Sequence, residues 1–219
     1  MIREVSNKDI SLPSLFVTEA GDLPFMQGVE VRSYLIKTDK GFTAIYNSPG
    51  LSKDKNAIVE LGRPSALLMS HWHEAMYKAP ELGIAAYVAA ADLSQTKASM
   101  SGAVDLATYL SSDNTIEIIS TPGHTAGFSM FLWTCGNHRV LFSGDMIWSH
   151  HNRWEAVVLD ESNRQKYISS LETIAGLDFD VLVPWVSMRG EQYPILSDRP
   201  SARNKILRII ERLKGGEVT

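Results

Sequence analysis

The sequence predicts a mixed α/β or α+β domain, on three observations. Short apolar runs of strand length recur along the chain, interleaved with segments of helical periodicity. Several of these runs stop abruptly at turn or polar residues, as at Ser70-His71, Ser120-Thr121-Pro122 and Ser143-Gly144-Asp145. Open α/β sheets commonly assemble their sites at such strand ends. The chain of 219 residues also shows no linker, low-complexity tract or short-period repeat. It is therefore expected to fold as a single domain over residues 1–219, burying roughly 70% of its unfolded surface.

Taken in order, residues 1–28 read as a lead-in with turn residues at Gly21-Asp22 and Pro24. Val29–Lys37 and Phe42–Asn47 read as a hairpin around Asp39-Lys40-Gly41. Asp54–Leu61 is amphipathic and stops at Gly62, the pattern of a capped helix. Ala66–Ser70 is a short buried strand, followed by a broken helical stretch around Pro80 and a strand at Ala85–Val88. Beyond that strand a helical region containing Asp105–Leu110 is expected. Ile116–Ser120, Ser129–Trp133 and Arg139–Ser143 read as strands, the last two joined by the turn Cys135-Gly136-Asn137-His138. Gln165–Ala175 presents Tyr167, Ile168, Leu171 and Ile174 on one helical face. After a strand at Val181–Val183 and a loop through Tyr193-Pro194, Pro200 suits the first turn of a last helix ended by Gly215-Gly216. This order fits two packed sheets with helices outside.

Charge and composition narrow the function classes. A net charge of −4 argues against a general nucleic-acid or anionic-membrane footprint. Cys135 is the only cysteine, so an intrachain disulfide is impossible. The first residues lack the apolar core of a signal peptide, and no uncharged apolar run reaches transmembrane length. The expectation is a cytoplasmic protein acting on a small-molecule substrate, with no nucleic-acid or membrane partner.

The chemistry concentrates in three places. In Ser70-His71-Trp72-His73-Glu74-Ala75-Met76, histidines at i and i+2 on extended chain project to the same side. Their imidazoles can then converge on one cation. Thr121-Pro122-Gly123-His124-Thr125 and Gly144-Asp145 each place one more potential ligand just past a strand.

In this order the three motifs resemble the metallo-β-lactamase fold superfamily, in its glyoxalase II-like branch. The resemblance runs from Val31–Ile36 to Leu182–Pro184, nearly the whole chain. It implies a four-layer αββα sandwich and a metal held by His71, His73 and His124, with Asp145 as a fourth or bridging ligand. It also marks departures. The family pattern His-x-His-x-Asp-His ends here in Ala75-Met76, and the usual later Pro-Gly-His-Gly reads Pro184-Trp185-Val186-Ser187. All three ligands particular to a second metal are thus missing. The family's Asp-x-Gly also reads Asn47-Ser48-Pro49-Gly50.

One complete ligand set implies one transition metal ion. Three protein ligands and an open position suit catalytic zinc. Two histidines and a carboxylate suit non-haem iron(II), with His71, His124 and Asp145 as the triad. Zinc, and a hydrolase of a small ester or thioester, is the preferred reading. An iron-dependent oxygenase and a catalytically silent protein with a decayed site are the alternatives. Around the motifs, Glu74 is expected to point away from the metal as an exposed helix-start carboxylate. His150 or His151 is a candidate for a replacement ligand or base, and Arg189 for a substrate carboxylate. His138 is read as a solvated turn residue. Trp72, Trp148 and Trp185 either line an apolar pocket or pack beneath the site.

Overall fold

Alternate residues of the longest strands go to opposite hydrophobic layers, and that division builds the fold. In the computed structural model, which describes residues 1–109, 115–151, 153–191 and 193–217, Tyr34 and Ile36 join one apolar cluster and Leu35 between them joins another. Phe131, Trp133, Val140, Phe142, Val181 and Val183 share the layer of Tyr34, while Leu132, Leu141 and Leu182 face the opposite way. This is the two-residue period of extended chain. Strands covered on both faces read as unbroken apolar runs rather than alternating ones.

Among the described residues, a seven-stranded sheet runs in the order Arg3–Ser6, Ser11–Val17, Tyr34–Thr38, Gly41–Ile45, Pro64–Leu68, Ala85–Val88 and Val104–Asp105. From Gly41–Ile45 onward its neighbours pair parallel. A five-stranded sheet runs Ile116–Ser120, Ser129–Cys135, His138–Gly144, Val181–Pro184 and Ile195–Leu196. The two sheets enclose the central layer. Helices Pro49–Lys53 and Lys55–Gly62 cover the first sheet through Leu51 and Ile58. Helices Arg164–Ile174 and Arg199–Lys214 cover the second through Tyr167, Leu171, Ile206 and Ile209. The layer order is helix, sheet, sheet, helix, as the resemblance implies. No helix among the described residues is long and apolar enough to cross a membrane.

Several local expectations are corrected. The lead-in of residues 1–28 supplies two strands of the large sheet, with Ile10, Leu12, Leu15 and Val17 buried. Pro13 and the positive φ of Ser14, 73°, obscured that strand. The expected strand Val29–Lys37 divides: Tyr34–Thr38 pairs with Gly41–Ile45, but Val29–Val31 pairs with Val186–Met188 in a small separate sheet. Ala90–Ser99 is a helix that the weakly amphipathic sequence did not announce. The helical region expected at Asp105–Leu110 begins as the end of a strand and a single 3-10 turn, Leu106–Thr108; Leu110 lies outside the described residues. The stretch before Pro80 is a 3-10 helix, Trp72–Tyr77, and Trp148–His150 forms a hairpin with Arg153–Glu155.

One side chain ties the two sheets beneath the strand ends that carry the motifs. Tyr46 follows Gly41–Ile45 with φ 65°, and its ring packs edge-on against Tyr34 and Phe142. Its hydroxyl donates to the Val183 carbonyl at 2.8 Å and accepts from the Gly144 amide at 2.7 Å. Both groups belong to the second sheet, so the phenol is a polar strut through an apolar layer. Burial pushes its pKa well above the ordinary tyrosine value, which keeps the proton on the strut. Tyr46→Phe should lower unfolding free energy by about 1–3 kcal/mol, because two buried backbone groups lose their partner. Urea denaturation checks this, and an unchanged midpoint would remove the strut from the account.

Candidate metal centre

Each motif side chain is delivered by a strand end. His71 follows Pro64–Leu68 and precedes the 3-10 turn that carries His73. His124 sits between Ile116–Ser120 and Ser129–Cys135, and Asp145 immediately follows His138–Gly144. Gly144 turns the chain into Asp145 with φ 54°, and a Cβ there would meet Phe128 and Ser70 at 2.6 Å. Only glycine meets both demands. The result brings together the four residues singled out in the sequence: one nitrogen from each of His71, His73 and His124 and one Asp145 oxygen all lie within 4.8 Å of one another.

The outward face of each imidazole fixes which nitrogen looks inward. His124 Nδ1 donates to the Val157 carbonyl at 2.7 Å, leaving Nε2 for the centre. His73 Nε2 faces Glu161 at 3.0 Å, leaving Nδ1, which lies 3.1 Å from His124 Nε2. The Ser70 hydroxyl donates to Glu74 at 2.6 Å, so it accepts from His71 Nδ1 at 2.8 Å. His71 Nε2 then points at Asp145, 3.3 Å away. These tautomers follow from the hydrogen-bond network, and such outward partners characterise histidines that bind metal. Among the described residues, His71 Nε2 and Asp145 Oδ1 are buried without a hydrogen-bond partner. In these neutral tautomers the three nitrogens and the carboxylate turn lone pairs toward one another. The donor set fits a transition metal ion.

Proton affinities describe the same demand for positive charge. Burial lowers the His71 pKa, but the adjacent carboxylates of Asp145 and Glu74 outweigh it and raise the value to about 9. Burial tends to raise the Asp145 pKa, yet its contact with His71 brings it below the usual carboxylate range. Burial and the neighbouring His71 charge lower His73, and bring His124 down to about 4. A single proton between His71 and Asp145 meets part of this demand, in the place a cation would take.

Glu74 overturns its sequence reading in one respect. It points away from the open side, but it is fully buried beneath His71 rather than exposed. One oxygen accepts from Ser70 N at 2.7 Å and from Ser70 Oγ, and the other from Asn47 N at 2.7 Å. Asn47, standing where the family pattern has its aspartate, donates its amide to the carbonyls of Glu74 and Lys78. The carboxylate missing from one loop is therefore supplied by the facing one. Asp92, in the first turn of Ala90–Ser99, accepts from Trp72 N, Thr125 Oγ1 and Gly127 N, joining the two histidine loops. Neither Asp92 nor Glu161 had a signal in the sequence, since each is a lone acidic residue whose partners are remote.

Ala75, Met76 and Val186 line a cleft of about 630 Å³ with His73, His124 and Asp145 at its base. Trp72, Trp148 and Trp185 all line it, and Trp185 is also pinned by donating Nε1 to the Asn47 carbonyl at 2.8 Å. His150 and His151 do not join the group: His150 stacks on Trp148 and lies 3.8 Å from Glu155, and His151 lines a different cavity. Arg189 pairs with Asp22 and Glu30 outside the cleft. His138 is not simply solvated but meets Asp180 at 2.7 Å.

Glu74→Gln should expose the dependence of the centre on its buried support. An amide cannot accept on both sides, so Ser70 or the Asn47 amide loses its acceptor. The expected outcome is a loss of about 1–3 kcal/mol in stability and roughly 10–100-fold in zinc affinity. Competition with a chromogenic chelator measures the second effect; unchanged affinity in a folded variant would refute the role.

Comparison with known proteins agrees with this geometry. A sequence profile of the metallo-β-lactamase superfamily matches residues 101–184, which include His124 and Asp145. The degenerate stretch His71–Met76 lies outside that match. No curated protein matches the sequence. Among solved structures, the DIM-1 metallo-β-lactamase exposed to ceftazidime superposes with TM-score 0.71 at 13% identity, covering 96% of both chains. A metallo-β-lactamase from Pontibacter korlensis superposes with TM-score 0.68 at 14% identity, over 96% of this chain and 98% of that one. The MIM-2 metallo-β-lactamase gives 0.64 at 19% identity, over 93% and 87%. The protein has the metallo-β-lactamase fold, with the cluster His71, His73, His124 and Asp145 standing at the sheet ends where its motifs converge.

Proposed function

We propose that the protein is a mononuclear metal-dependent hydrolase of a small ester- or thioester-type substrate. His71, His73, His124 and Asp145 hold the ion, zinc in preference to iron. The observation that carries this reading is the gathering of three imidazole nitrogens and one carboxylate oxygen within 4.8 Å of one another, with His71 Nε2 and Asp145 Oδ1 buried and unpartnered. A metal ion there supplies Lewis acidity to an acyl carbonyl and acidity to a water. In the reaction, water adds to the acyl carbon and the C–O or C–S bond breaks. The leaving group takes up a proton, giving a carboxylic acid and an alcohol or thiol.

The chain's own groups have distinct parts in this. Glu161, the Val157 carbonyl and the Ser70–Glu74 pair hold the three imidazoles in their tautomers. Asp145 Oδ1, buried and unpartnered, is the acceptor available to orient a water. The apolar walls of the cleft exclude bulk water. With Ala75, Met76 and Val186 at the second set of positions, the two-ion clamp used for phosphodiesters has no ligands of its own. A glyoxalase II-like affiliation and a cytoplasmic location belong to the same proposal.

One observation favours an iron-dependent oxygenase as the second reading. Asp145 Oδ2 lies 3.3 Å from His71 Nε2 and 3.8 Å from His124 Nε2, so two histidines and a carboxylate are already together. His73, drawn into the group rather than swung away, supports the first reading. The zinc-loaded protein should cleave members of an ester and thioester panel. That activity should fall at least ~100-fold on chelation and in His124→Ala. Oxygen uptake by the iron form with a low-molecular-weight thiol or persulfide, lost in His124→Ala, would establish the second reading instead. Phosphodiester cleavage at ordinary enzymatic rates, about 1 s⁻¹ or more, would contradict a single-ion centre.

A further inference from the structure

The cleft above the histidine–aspartate group is lined mostly by apolar side chains and, among the described residues, by no lysine or arginine. Its volume of about 630 Å³ lies in the range of small-molecule sites. The apolar surface continues out to the mouth, where Phe25, Met26, Met76 and Leu159 are 73, 46, 38 and 38% exposed. Large side chains left in water around one opening mark a binding site for an apolar partner.

The carboxylates at the cleft have no lysine or arginine opposite them in its lining. Asp145 stands at the base, and Glu161 holds His73 beside it. The arginines closest in sequence to the small sheet are committed elsewhere: Arg32 to Glu30, and Arg189 to Asp22 and Glu30. A substrate carboxylate or phosphate placed along these walls would lose its hydration and meet no cation except the ion at the base. Polar contacts are confined to Gln95 and Ser99, both neutral.

We infer that the substrate is electrically neutral away from its scissile bond, with an apolar body of acyl-chain or aryl character. Its wall is formed in part by Ala75, Met76 and Val186, so the positions that lost second-metal ligands are the ones that bind this body. The inference rests on the hydrolase reading for the position of the scissile bond. Its test reads binding, so that failure of hydrolysis and failure of the apolar selectivity remain separate results.

The full-length protein, depleted of metal so that no carboxylate can bind an ion, is titrated calorimetrically with two hydrolysis-resistant amides. Hexananilide is neutral, and adipic acid monoanilide is of similar length with a terminal carboxylate. The neutral amide should bind tighter by roughly tenfold or more, with a negative heat-capacity change from apolar burial. Met76→Lys, whose ammonium can reach water from the half-exposed position, should reduce or reverse the preference. Leu159→Lys serves as the second variant if the first does not fold. Equal affinity for the two amides, binding of neither, or an unchanged preference in folded lysine variants would overturn the inference. Selective binding by a protein that hydrolyses no member of the panel would retain the apolar site and discard the hydrolase.

Discussion

Three imidazole nitrogens and a carboxylate oxygen gathered within 4.8 Å of one another form a donor set suited to a cation. Lone pairs and a buried carboxylate brought this close repel one another unless positive charge stands among them. A proton shared between His71 and Asp145 can meet part of the demand, and a transition metal can meet all of it. The other features of the site act to keep those four atoms in place.

The support is built from separate loops. Glu74 fixes Ser70 and thereby His71, while Asn47 braces Glu74 from the neighbouring strand end. Asp92 joins the turn after His71 to the loop that carries Thr125 and Gly127. Tyr46 and Trp185 link the Asn47 strand end with Gly144 and Val183, on the sheet that delivers Asp145. Each link pairs a buried polar group that would be costly to leave alone, so the centre and the core stabilise one another. Ala75, Met76 and Val186, where the resemblance would place a second ligand set, offer no imidazole or carboxylate beside this network.

The sequence disclosed the site more readily than parts of its frame. His71, His73, His124 and Asp145 were legible because each ends an apolar strand run in a short motif. The central strands were legible for the same reason. Glu74 misled, because an extended chain would turn it outward and the actual backbone is a 3-10 turn that carries it inward. Residues 1–28 hid two strands behind Pro13 and a left-handed Ser14. The Ala90–Ser99 helix carries little amphipathic pattern, so Asp92 could not be recognised as a brace. His150 and His151 looked near the centre in sequence, but a two-strand hairpin takes them away from it. The ordered motifs, read through their resemblance to a family, therefore gave the four clustered side chains, while the hydrogen bonds that orient them depend on contacts between distant segments.

The central proposal is that these four side chains hold one metal ion, with no second such cluster among the described residues. Metal analysis and X-ray absorption spectroscopy of protein purified without chelators test it most directly. The account predicts one transition metal per chain, surrounded by three imidazole nitrogens and at least one carboxylate oxygen. Two ions per chain retained through dialysis, or none with all four side chains free, would contradict it.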